Sequence, residues 1–490
     1  MKFTSIQILC AVLTSSVSAF VSPSSVAKRA AIVPTTADKY QVSSTDAGLN
    51  CRFSTFSFLK AAEQDTIEEV VATNEDTIDD IIHDLLDVSQ FVYGFANLRR
   101  IVKANEGQIR KKKRVGWFNR REKYTVAFDT PALILTQDGA QEQSDDKLFK
   151  YVVTPDAIKL FIEKNRKWFD EPEGGGDWTF DETLSEKEEP FLMEEAVAKA
   201  AEDNMKIVDY DDEFSTKNGG LVYGVVINLT RKWVSVCFRG TVGSTDLFTD
   251  RDFRLDYDSF FSGEDEIFVP GGKPATHTGF TKYLVDEKMG DQDGRKVIDR
   301  ILSCVNEEFK SNPDIAGKDF NFYVSGHSLG GGLANLFSFK AAQLKAKGDK
   351  SVEFLPETIT ALTFASPVAG NDDYNKEFQY LEKKGNLRHI RVSNENDLVP
   401  TNNIIPPFSA ALRGDTRKYT QNGVNLFLRS EEELEVGYRA TKSCRSQFSL
   451  SPLAPHMITE YRERVNLEIN KEKYQQTVEE AYKVADDFTN

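Results

Sequence analysis

The sequence has few of the residues that build metal and redox sites. Its 490 residues include five cysteines and five histidines, and no two cysteines are spaced as C-x-x-C. Zinc sites and thioredoxin-type redox sites rely on such pairs, so we expect neither a metal nor a cofactor. Cys237 falls in an apolar strand pattern and is expected to be a buried free thiol. A Cys304–Cys444 disulfide stays an open alternative.

Excess positive charge is missing as well. Lysine and arginine total 61 against 77 aspartate and glutamate residues, which gives a formal net charge of −16. Nucleic acids are bound through basic faces, so this balance argues against nucleic acid as the main partner and otherwise fits a soluble surface. A content of 40% hydrophobic and 11% aromatic residues excludes a disordered chain. The length suffices for two or three domains.

Long apolar runs are missing too, apart from a short one at the N-terminus. Lys2, the apolar stretch 6–13 and the small residues at 15–19 form the pattern of a signal peptide over 1–19. That stretch is shorter than the roughly 20 apolar residues of a membrane helix. Residues 20–50 resemble either the second part of a complex-plastid presequence or a flexible pro-segment. We therefore expect entry into the secretory pathway, followed by secretion or import into a complex plastid.

Residues 51–204 read as a mainly helical N-terminal region of unknown role. Apolar residues recur there at helical spacing over three stretches, namely 64–104, 155–170 and 186–203. A basic cluster at 110–114 lies beside Trp117 and Phe118. The cluster fits either docking on an anionic membrane surface or a solvated turn with the tryptophan in the core.

From about residue 205, strand and helix patterns alternate. Apolar strand patterns occupy 221–227, 233–238, 320–324, 359–364 and 389–392. Helical patterns occupy 277–284, 297–309 and 332–345. This alternation predicts an α/β fold in which helices flank a mostly parallel central sheet. We place this domain at 205–465 and a helical tail at 466–490.

Ser328 lies where a strand pattern turns into a helical pattern. The run Gly326-His327-Ser328-Leu329-Gly330 has the G-x-S-x-G pattern of a nucleophile elbow, a sharp strand-to-helix turn that carries the reactive serine. The two glycines let the backbones pass closely, and the helix N-terminus favours developing negative charge. Ser328 is therefore the candidate nucleophile. We interpret His327 as a packing residue, because neighbours on a tight turn point apart.

Four further blocks lie around the elbow in a fixed order. They are CFRGT at 237–241, HTGF at 277–280, TFASPVAGN at 363–371 and RVSNENDLVP at 391–400. With them the chain resembles the class 3 lipases, which include fungal triacylglycerol lipases and related plant acylhydrolases. The resemblance covers about 205–465, and its strength lies in the order of blocks that are each weak alone. It implies an α/β-hydrolase fold and a serine hydrolase of carboxylic esters.

The candidate acid and base follow from chain order and from the resemblance. Asp397 stands on the turn after a strand, where an α/β-hydrolase carries its acid, and a carboxylate there can support an imidazolium. Glu395 is its nearest rival, and Asp372 and Asp373 are more distant ones; the family pattern selects Asp397. The base comes last in this order, and His456 is the sole histidine beyond Asp397.

The resemblance also implies an oxyanion hole and a lid. The hole consists of the backbone N–H groups of Thr241 and Leu329, which would stabilise a tetrahedral oxyanion. His277, in the HTGF block, is expected to be structural, and His389 a core or surface residue. The family's lid position corresponds to 246–274, whose amphipathic character suits a flap that opens on a lipid surface.

The expected function is serine-dependent hydrolysis of ester bonds in triacylglycerol or a polar glycerolipid through an acyl-enzyme. The expected partner is a lipid or ester substrate at a membrane or lipid-droplet surface. Two alternatives stay open from the sequence. One is an esterase that acts on soluble esters such as feruloyl esters, and the other is a catalytically silent, lipase-like scaffold that binds lipid.

Overall fold

Helices and strands alternate along the described part of the chain. In the computed structural model that part comprises residues 76–103, 108–115, 118–125, 178–179, 200, 202–211, 221–240, 254–261, 267–285, 295–400, 419–429, 435–438, 454–467 and 475–487. The helices are α1 (Ile78–Lys103), α2 (Thr278–Val285), α3 (Val297–Ser311), α4 (Leu329–Ala346), α5 (Asp372–Lys384), α6 (Ile458–Val465) and α7 (Val478–Asp487). The strands are β1 (Gln108–Val115), β2 (Phe118–Thr125), β3 (Trp178–Thr179), β4 (Met205–Asp211), β5 (Tyr223–Asn228), β6 (Trp233–Phe238), β7 (Leu255–Asp256), β8 (Thr276–His277), β9 (Asn321–His327), β10 (Ile359–Phe364), β11 (Gly370–Asn371), β12 (Leu387–Asn394), β13 (Tyr419–Thr420), β14 (Val424–Leu428) and β15 (Glu435–Tyr438). Short 3₁₀ helices lie at Lys350–Val352 and Ala454–His456.

Eight strands form one sheet in the order β15-β14-β12-β10-β9-β6-β5-β4. The pairings from β14 to β6 are parallel, and the pairings toward both edges are antiparallel. Strands β6 and β10 of the parallel part are largely apolar, as expected where helices cover both faces. Strand β6, for example, is buried along its whole length. The predicted α/β architecture with a mostly parallel central sheet flanked by helices is confirmed.

Helices cover both faces of the sheet, and alternate residues of each strand contribute to two cores. Along β9, Tyr323 belongs to one core, and its neighbours Phe322 and Val324 belong to the other, because side chains of a strand alternate between faces. The first core packs against α1, α6 and α7. The second packs against α2, α3, α4 and α5. Because the strands from β14 to β6 are parallel, their carboxyl ends all lie at one edge of the sheet. Proteins of the α/β class place their sites at this edge.

Helix α1 is the described part of the helical pattern predicted at 64–104, and it is fastened to the sheet by polar contacts. The indole Nε1 of Trp233 donates to Asp84 at 2.9 Å. Farther along, Arg462 of α6 forms an ion pair with Asp87. Successive turns of α1 thus contact β6 and α6, which fixes the helix on the first face of the sheet.

Cys237, on β6, is a buried free thiol as predicted. Its sulfur lies 3.5 Å from the Ser89 hydroxyl of α1. Burial raises the pKa of this thiol to about 11, so it stays protonated and behaves as a small apolar side chain. Cys444 lies outside the described residues, and the Cys304–Cys444 alternative stays a prediction.

The basic cluster forms strands, which were not predicted, whereas the mainly helical character expected for 51–204 as a whole stays a prediction. Strands β1 and β2 pair antiparallel, with Val115 opposite Phe118, and β1 also pairs with β3. The strands escape sequence reading because the cations occupy consecutive positions, which hides the period of two that a strand normally shows. Trp117 lies outside the described residues, so its predicted place in the core or at a membrane stays a prediction.

The elements beside the elbow extend beyond the predicted patterns. Strand β9 continues to His327 and α4 begins at Leu329, because the elbow glycines carry no apolar signal. The predicted segments 1–19, 20–50 and 155–170 lie outside the described residues, as does most of 186–203. Among the helices that the structure describes, none combines the length and apolarity needed to cross a bilayer.

Candidate active site

Ser328 is the one residue between strand β9 and helix α4. Its φ of 58° and ψ of −126° lie outside the regions that residues with a side chain favour. The Ser328 N–H donates to the Phe364 carbonyl oxygen at 2.9 Å, which helps to hold this strained turn, since strain persists only where neighbouring contacts enforce it. The turn places the serine at the carboxyl edge of the parallel strands.

Backbones cross at the elbow with no room for side chains. A Cβ on Gly326 would lie 2.4 Å from the Gly330 backbone, and a Cβ on Gly330 would lie 2.1 Å from the Phe238 carbonyl oxygen. Both distances are far inside van der Waals contact, so glycine is required at each position. The spacing of the G-x-S-x-G pattern therefore has a packing cause.

His456 connects Ser328 to Asp397. Its Nε2 lies 2.8 Å from Ser328 Oγ, and its Nδ1 lies 3.1 and 3.0 Å from the two carboxylate oxygens of Asp397. An ionised carboxylate only accepts hydrogen bonds, so the proton is on Nδ1 and Nε2 accepts from the serine hydroxyl. Ser328, His456 and Asp397 are 2%, 5% and 0% exposed. The structure thus brings together the three side chains named from the sequence.

Asp397 is satisfied by donors from three parts of the chain. Besides His456, the Val399 N–H donates to Oδ1 at 2.9 Å, and the Tyr461 hydroxyl donates to Oδ2 at 2.7 Å. These donors replace water around a buried charge. Burial, and next the charge of Asp397, raise the pKa of Tyr461, so its hydroxyl remains a donor. Asn396, with φ of 68°, forms the turn that presents the carboxylate.

Two side chains hold consecutive carbonyl groups of the loop that carries His456. Asn394 Nδ2 donates to the Pro455 oxygen at 2.9 Å, and His327 Nε2 lies 2.7 Å from the His456 oxygen. Asn394 ends β12 and His327 ends β9, so the loop is tied to two strands of the sheet. Neither role has a signal in the sequence, because each partner is a backbone carbonyl of a residue far away in the chain.

Of the two residues predicted to form the oxyanion hole, the structure describes Leu329. Leu329 is the first residue of α4, where N–H groups have no partner within the helix. Gly240 lies two residues after the end of β6. A Cβ on it would lie 2.5 Å from the His327 oxygen and 3.1 Å from Ser328 Cβ. Thr241 follows Gly240 but lies outside the described residues. The pairing of Thr241 with Leu329 stays a prediction.

The more distant rival acids are engaged elsewhere. Asp372 accepts a hydrogen bond from Thr420. Asp373 forms an ion pair with a lysine of the same helix at 2.6 Å. Asp397, in contrast, contacts His456 through both of its carboxylate oxygens.

Two other histidines have structural surroundings. His277 stacks on Phe280 with ring centroids 4.0 Å apart, and its Nδ1 accepts from the Gly279 N–H at 3.1 Å, so it fastens the start of α2. His389 is fully buried beside Asn422. Within the described stretches, no group of three or more histidine, cysteine, aspartate or glutamate side chains is arranged to hold a metal ion.

The stretch predicted as a flap, 246–274, is partly anchored in the core. Leu255 pairs with His277 in the small sheet. Phe260 and Phe261 are buried, and their rings lie 6.1 and 5.8 Å from that of Phe339 on α4. Because Phe260 and Phe261 are packed in the core, these contacts remove 255–261 from the predicted flap. Much of the remaining stretch lies outside the described residues.

The family model described as Lipase (class 3) matches residues 235–406. This span contains Ser328 and Asp397 and ends before His456. This part of the chain is similar to the class 3 lipases. The resemblance predicted from the sequence blocks is confirmed.

Curated proteins that are similar to this part of the chain are named phospholipases A1. Phospholipase A1-Igamma2, chloroplastic, of Arabidopsis thaliana is 27% identical over 174 residues, which are 35% of this chain and 31% of that protein. Phospholipase A1-II 3 of Oryza sativa subsp. indica is 26% identical over 206 residues, which are 40% of this chain and 45% of that protein. The chain thus spans less than half the length of these relatives.

Solved lipase structures align with part of the chain. A native Rhizomucor miehei lipase propeptide complex is 21% identical, covers 53% of this chain and 68% of its own, and has a TM-score of 0.34. A lipase from Rhizopus microsporus var. chinensis is 18% identical, covers 55% of this chain and 76% of its own, and has a TM-score of 0.36.

Proposed function

We propose that this protein hydrolyses carboxylic ester bonds of glycerolipids, with Ser328 as nucleophile, His456 as general base and Asp397 as the supporting acid. The observation that carries the proposal is the run of hydrogen bonds from hydroxyl to imidazole to carboxylate, at 2.8 and 3.0 Å. A serine hydroxyl is a weak nucleophile unless an adjacent base accepts its proton. His456 is in position to do so, and a buried carboxylate orients it.

The proposed reaction has two halves. Ser328 Oγ attacks the ester carbonyl carbon while its proton moves to His456 Nε2, and Asp397 stabilises the resulting imidazolium. The N–H groups of Leu329 and Thr241 donate to the oxyanion, each contributing about 3 kcal/mol. His456 protonates the departing alcohol, which leaves an acyl-enzyme. Water then attacks the acyl group with His456 again as base and releases the fatty acid.

For the substrate we propose a polar glycerolipid, and a phospholipid first. The support is the naming of the similar proteins, which are phospholipases A1, together with the similarity of 235–406 to the class 3 lipases. Galactolipid and triacylglycerol are the other lipids that the sequence predicted. The substrate would be presented at a membrane or lipid-droplet surface.

A hydrolysis panel with the full chain and its Ser328→Ala variant tests this function. The substrates are phospholipid vesicles, dispersed galactolipid, emulsified triacylglycerol and a soluble feruloyl ester. We expect fatty acid release by the unmodified chain, fastest from phospholipid, and a loss of about 10³-fold or more in Ser328→Ala. Cleavage of the feruloyl ester alone would replace the lipid substrate with a soluble one. Equal release by both proteins would remove Ser328 from the reaction.

For the destination of the protein we propose the plastid, reached through the secretory pathway. The support is the pattern at 1–19 and 20–50 and the chloroplastic designation of similar phospholipases. A fluorescent protein fused behind residues 1–50 should accumulate with plastid pigment in an algal host that has complex plastids. Accumulation in the medium would assign secretion instead.

A further inference from the structure

We propose that helix α1 is part of the catalytic unit, because its Tyr93 positions His327 and, through it, the loop that holds the general base. This inference rests on the proposed function. Helix α1 ends well before residue 235, where the match to the class 3 lipase family begins, so the family match assigns the helix no role. Tyr93 acts here as a positioning residue.

A continuous pair of hydrogen bonds links α1 to the base loop. The Tyr93 hydroxyl lies 3.2 Å from His327 Nδ1, and His327 Nε2 lies 2.7 Å from the carbonyl oxygen of His456. The Tyr93 and His327 rings also meet edge to face, with centroids 6.0 Å apart. Both side chains are buried, so water cannot readily replace either bond.

The chemistry of the partners fixes every proton in this link. A carbonyl oxygen only accepts, so His327 Nε2 carries hydrogen and donates to His456. In a neutral imidazole the other nitrogen is then an acceptor, so the Tyr93 hydroxyl donates to Nδ1. Burial, and next the nearby His456, lower the pKa of His327 to about 3, which keeps the ring neutral. The His456 carbonyl thus selects this tautomer, and the Tyr93 hydroxyl satisfies its remaining nitrogen.

Tyr93 also touches the end of β6. A Cβ on Gly240 would lie 2.3 Å from the Tyr93 hydroxyl oxygen. Gly240 directly precedes Thr241, the predicted second donor of the oxyanion hole. One hydroxyl of α1 therefore contacts the elbow histidine and the strand end that leads to the oxyanion loop. Asn394 also donates to the Pro455 oxygen. The loop therefore keeps this hydrogen bond to β12 when Tyr93 is changed.

The Tyr93→Phe variant removes one oxygen and keeps the ring. We expect kcat to fall about 10-fold with KM nearly unchanged, because His327 Nδ1 loses its donor and a small displacement of the base lowers the rate steeply. Labelling of Ser328 by a fluorophosphonate should slow by a similar factor, since it too needs the base in place. The substrate is a short-chain p-nitrophenyl ester, which avoids dependence on a lipid surface.

The matched control is Tyr210→Phe. The Tyr210 hydroxyl donates to the Val92 oxygen of the same helix at 3.3 Å, so this variant also loses one buried hydroxyl that contacts α1. We expect it to lower the thermal midpoint about as much as Tyr93→Phe does and to leave kcat unchanged. Unchanged kcat in Tyr93→Phe, or equal losses of kcat in both variants, would overturn the inference.

A second pair of variants keeps the test independent of Tyr93 itself. His327→Gln retains an amide that can donate to the His456 carbonyl, whereas His327→Leu does not. We expect the glutamine variant to keep the larger kcat, and equal losses would count against the inference. Absence of any Ser328-dependent activity in the unmodified chain would overturn the proposed function as well. Full activity in Tyr93→Phe overturns the role of α1 alone.

Discussion

At the scale of single residues, the surroundings of Asp397 explain how a charge can function without contact with water. The carboxylate is fully buried and accepts from its own turn, from Tyr461 and from His456. Donors of this kind replace the hydrogen bonds to water that a buried carboxylate loses. The ionised form is the one that His456 needs, because it must accept the Nδ1 proton and support the imidazolium.

We predict that Tyr461→Phe lowers both kcat and stability. The variant removes a donor to a buried carboxylate, which contributes about 1.5–3 kcal/mol to folding, and it frees Asp397 to move away from His456. The control is Tyr482→Phe, which removes a comparable 2.6 Å bond to Glu382. Urea unfolding should show similar losses for both variants, and ester hydrolysis should fall about 10-fold or more for Tyr461→Phe alone. Equal activities would contradict a role of Tyr461 in the site.

Ser328, Asp397 and His456 could be named from the sequence because each has a local or ordinal signal. Ser328 lies between fixed glycines, Asp397 follows a strand, and His456 is the last histidine. Tyr93 and Asn394 give no such signal. Their partners are a ring nitrogen and a backbone oxygen of distant residues, and only the folded chain brings these groups within hydrogen-bonding distance.

At the scale of elements, the elbow depends on how closely β6, β9 and α4 pass one another. Gly330 of α4 lies against the Phe238 carbonyl at the end of β6, and Gly326 of β9 lies against Gly330. This crossing sets the distance between the α4 N-terminus and the strand end that leads to Thr241. Leu329, one predicted oxyanion donor, begins α4, and Thr241, the other, follows β6 in the sequence.

We predict that Gly330→Ala destabilises the fold by about 3 kcal/mol or more, because the new methyl group would overlap backbone atoms that cannot rotate away. Gly272→Ala is the control. A Cβ there would meet its nearest atom at 3.5 Å, an ordinary contact, and the change should stay within about 1 kcal/mol. Denaturant unfolding of both variants provides the measurement. A Gly330→Ala protein as stable as the unmodified chain would show that the backbones are farther apart than described.

Five strands of the central sheet, β5, β6, β9, β10 and β12, were predicted from the sequence, whereas β14 and β15 were missed. Apolar runs such as that of β6 are long enough to be recognised in the sequence. In the helices between them, apolar residues recur about every 3.6 positions. The β1–β2 hairpin was missed, since charged residues at consecutive positions remove the pattern. Strand β4 was missed as well, because Asp209 and Asp211 interrupt its apolar side chains.

At the scale of the whole molecule, the described beginning and end of the chain meet on one face of the sheet. Thr77 forms a β-bridge with Thr477, and the Ile78 N–H donates to the Gln476 oxygen at 2.9 Å. Residues of α1, α6 and α7 share one core with the sheet. The matched span 235–406 therefore lacks the helices α1, α6 and α7 that complete this core.

A buried histidine in this molecule makes stability depend on pH. His389 is fully buried between Asn422 and Thr363. Burial, and next the charge of Arg391, lower its pKa to about 3. The unfolded chain takes up a proton below about pH 6.5 and the folded chain does not until about pH 3. The stabilising contribution is therefore complete above pH 6.5 and is lost as the pH falls toward 3.

We predict that His389→Asn flattens this dependence. Between about pH 4 and 6 the slope of unfolding free energy against pH should be smaller by up to about 1.4 kcal/mol per unit than in the unmodified chain. The comparison uses urea unfolding at several pH values, so a uniform loss of stability in the variant does not affect the result. Identical slopes would mean that His389 titrates alike in the folded and unfolded chains.

The most direct test of Ser328 activation is to measure the site and the rate of fluorophosphonate labelling of the folded chain. Intact mass and peptide mapping should show one adduct per chain, on Ser328. Labelling should be absent in Ser328→Ala and about 10³-fold slower or more in His456→Ala, because the hydroxyl then lacks its base. An adduct on another residue, or equal labelling rates with and without His456, would contradict activation of Ser328 by His456 and Asp397.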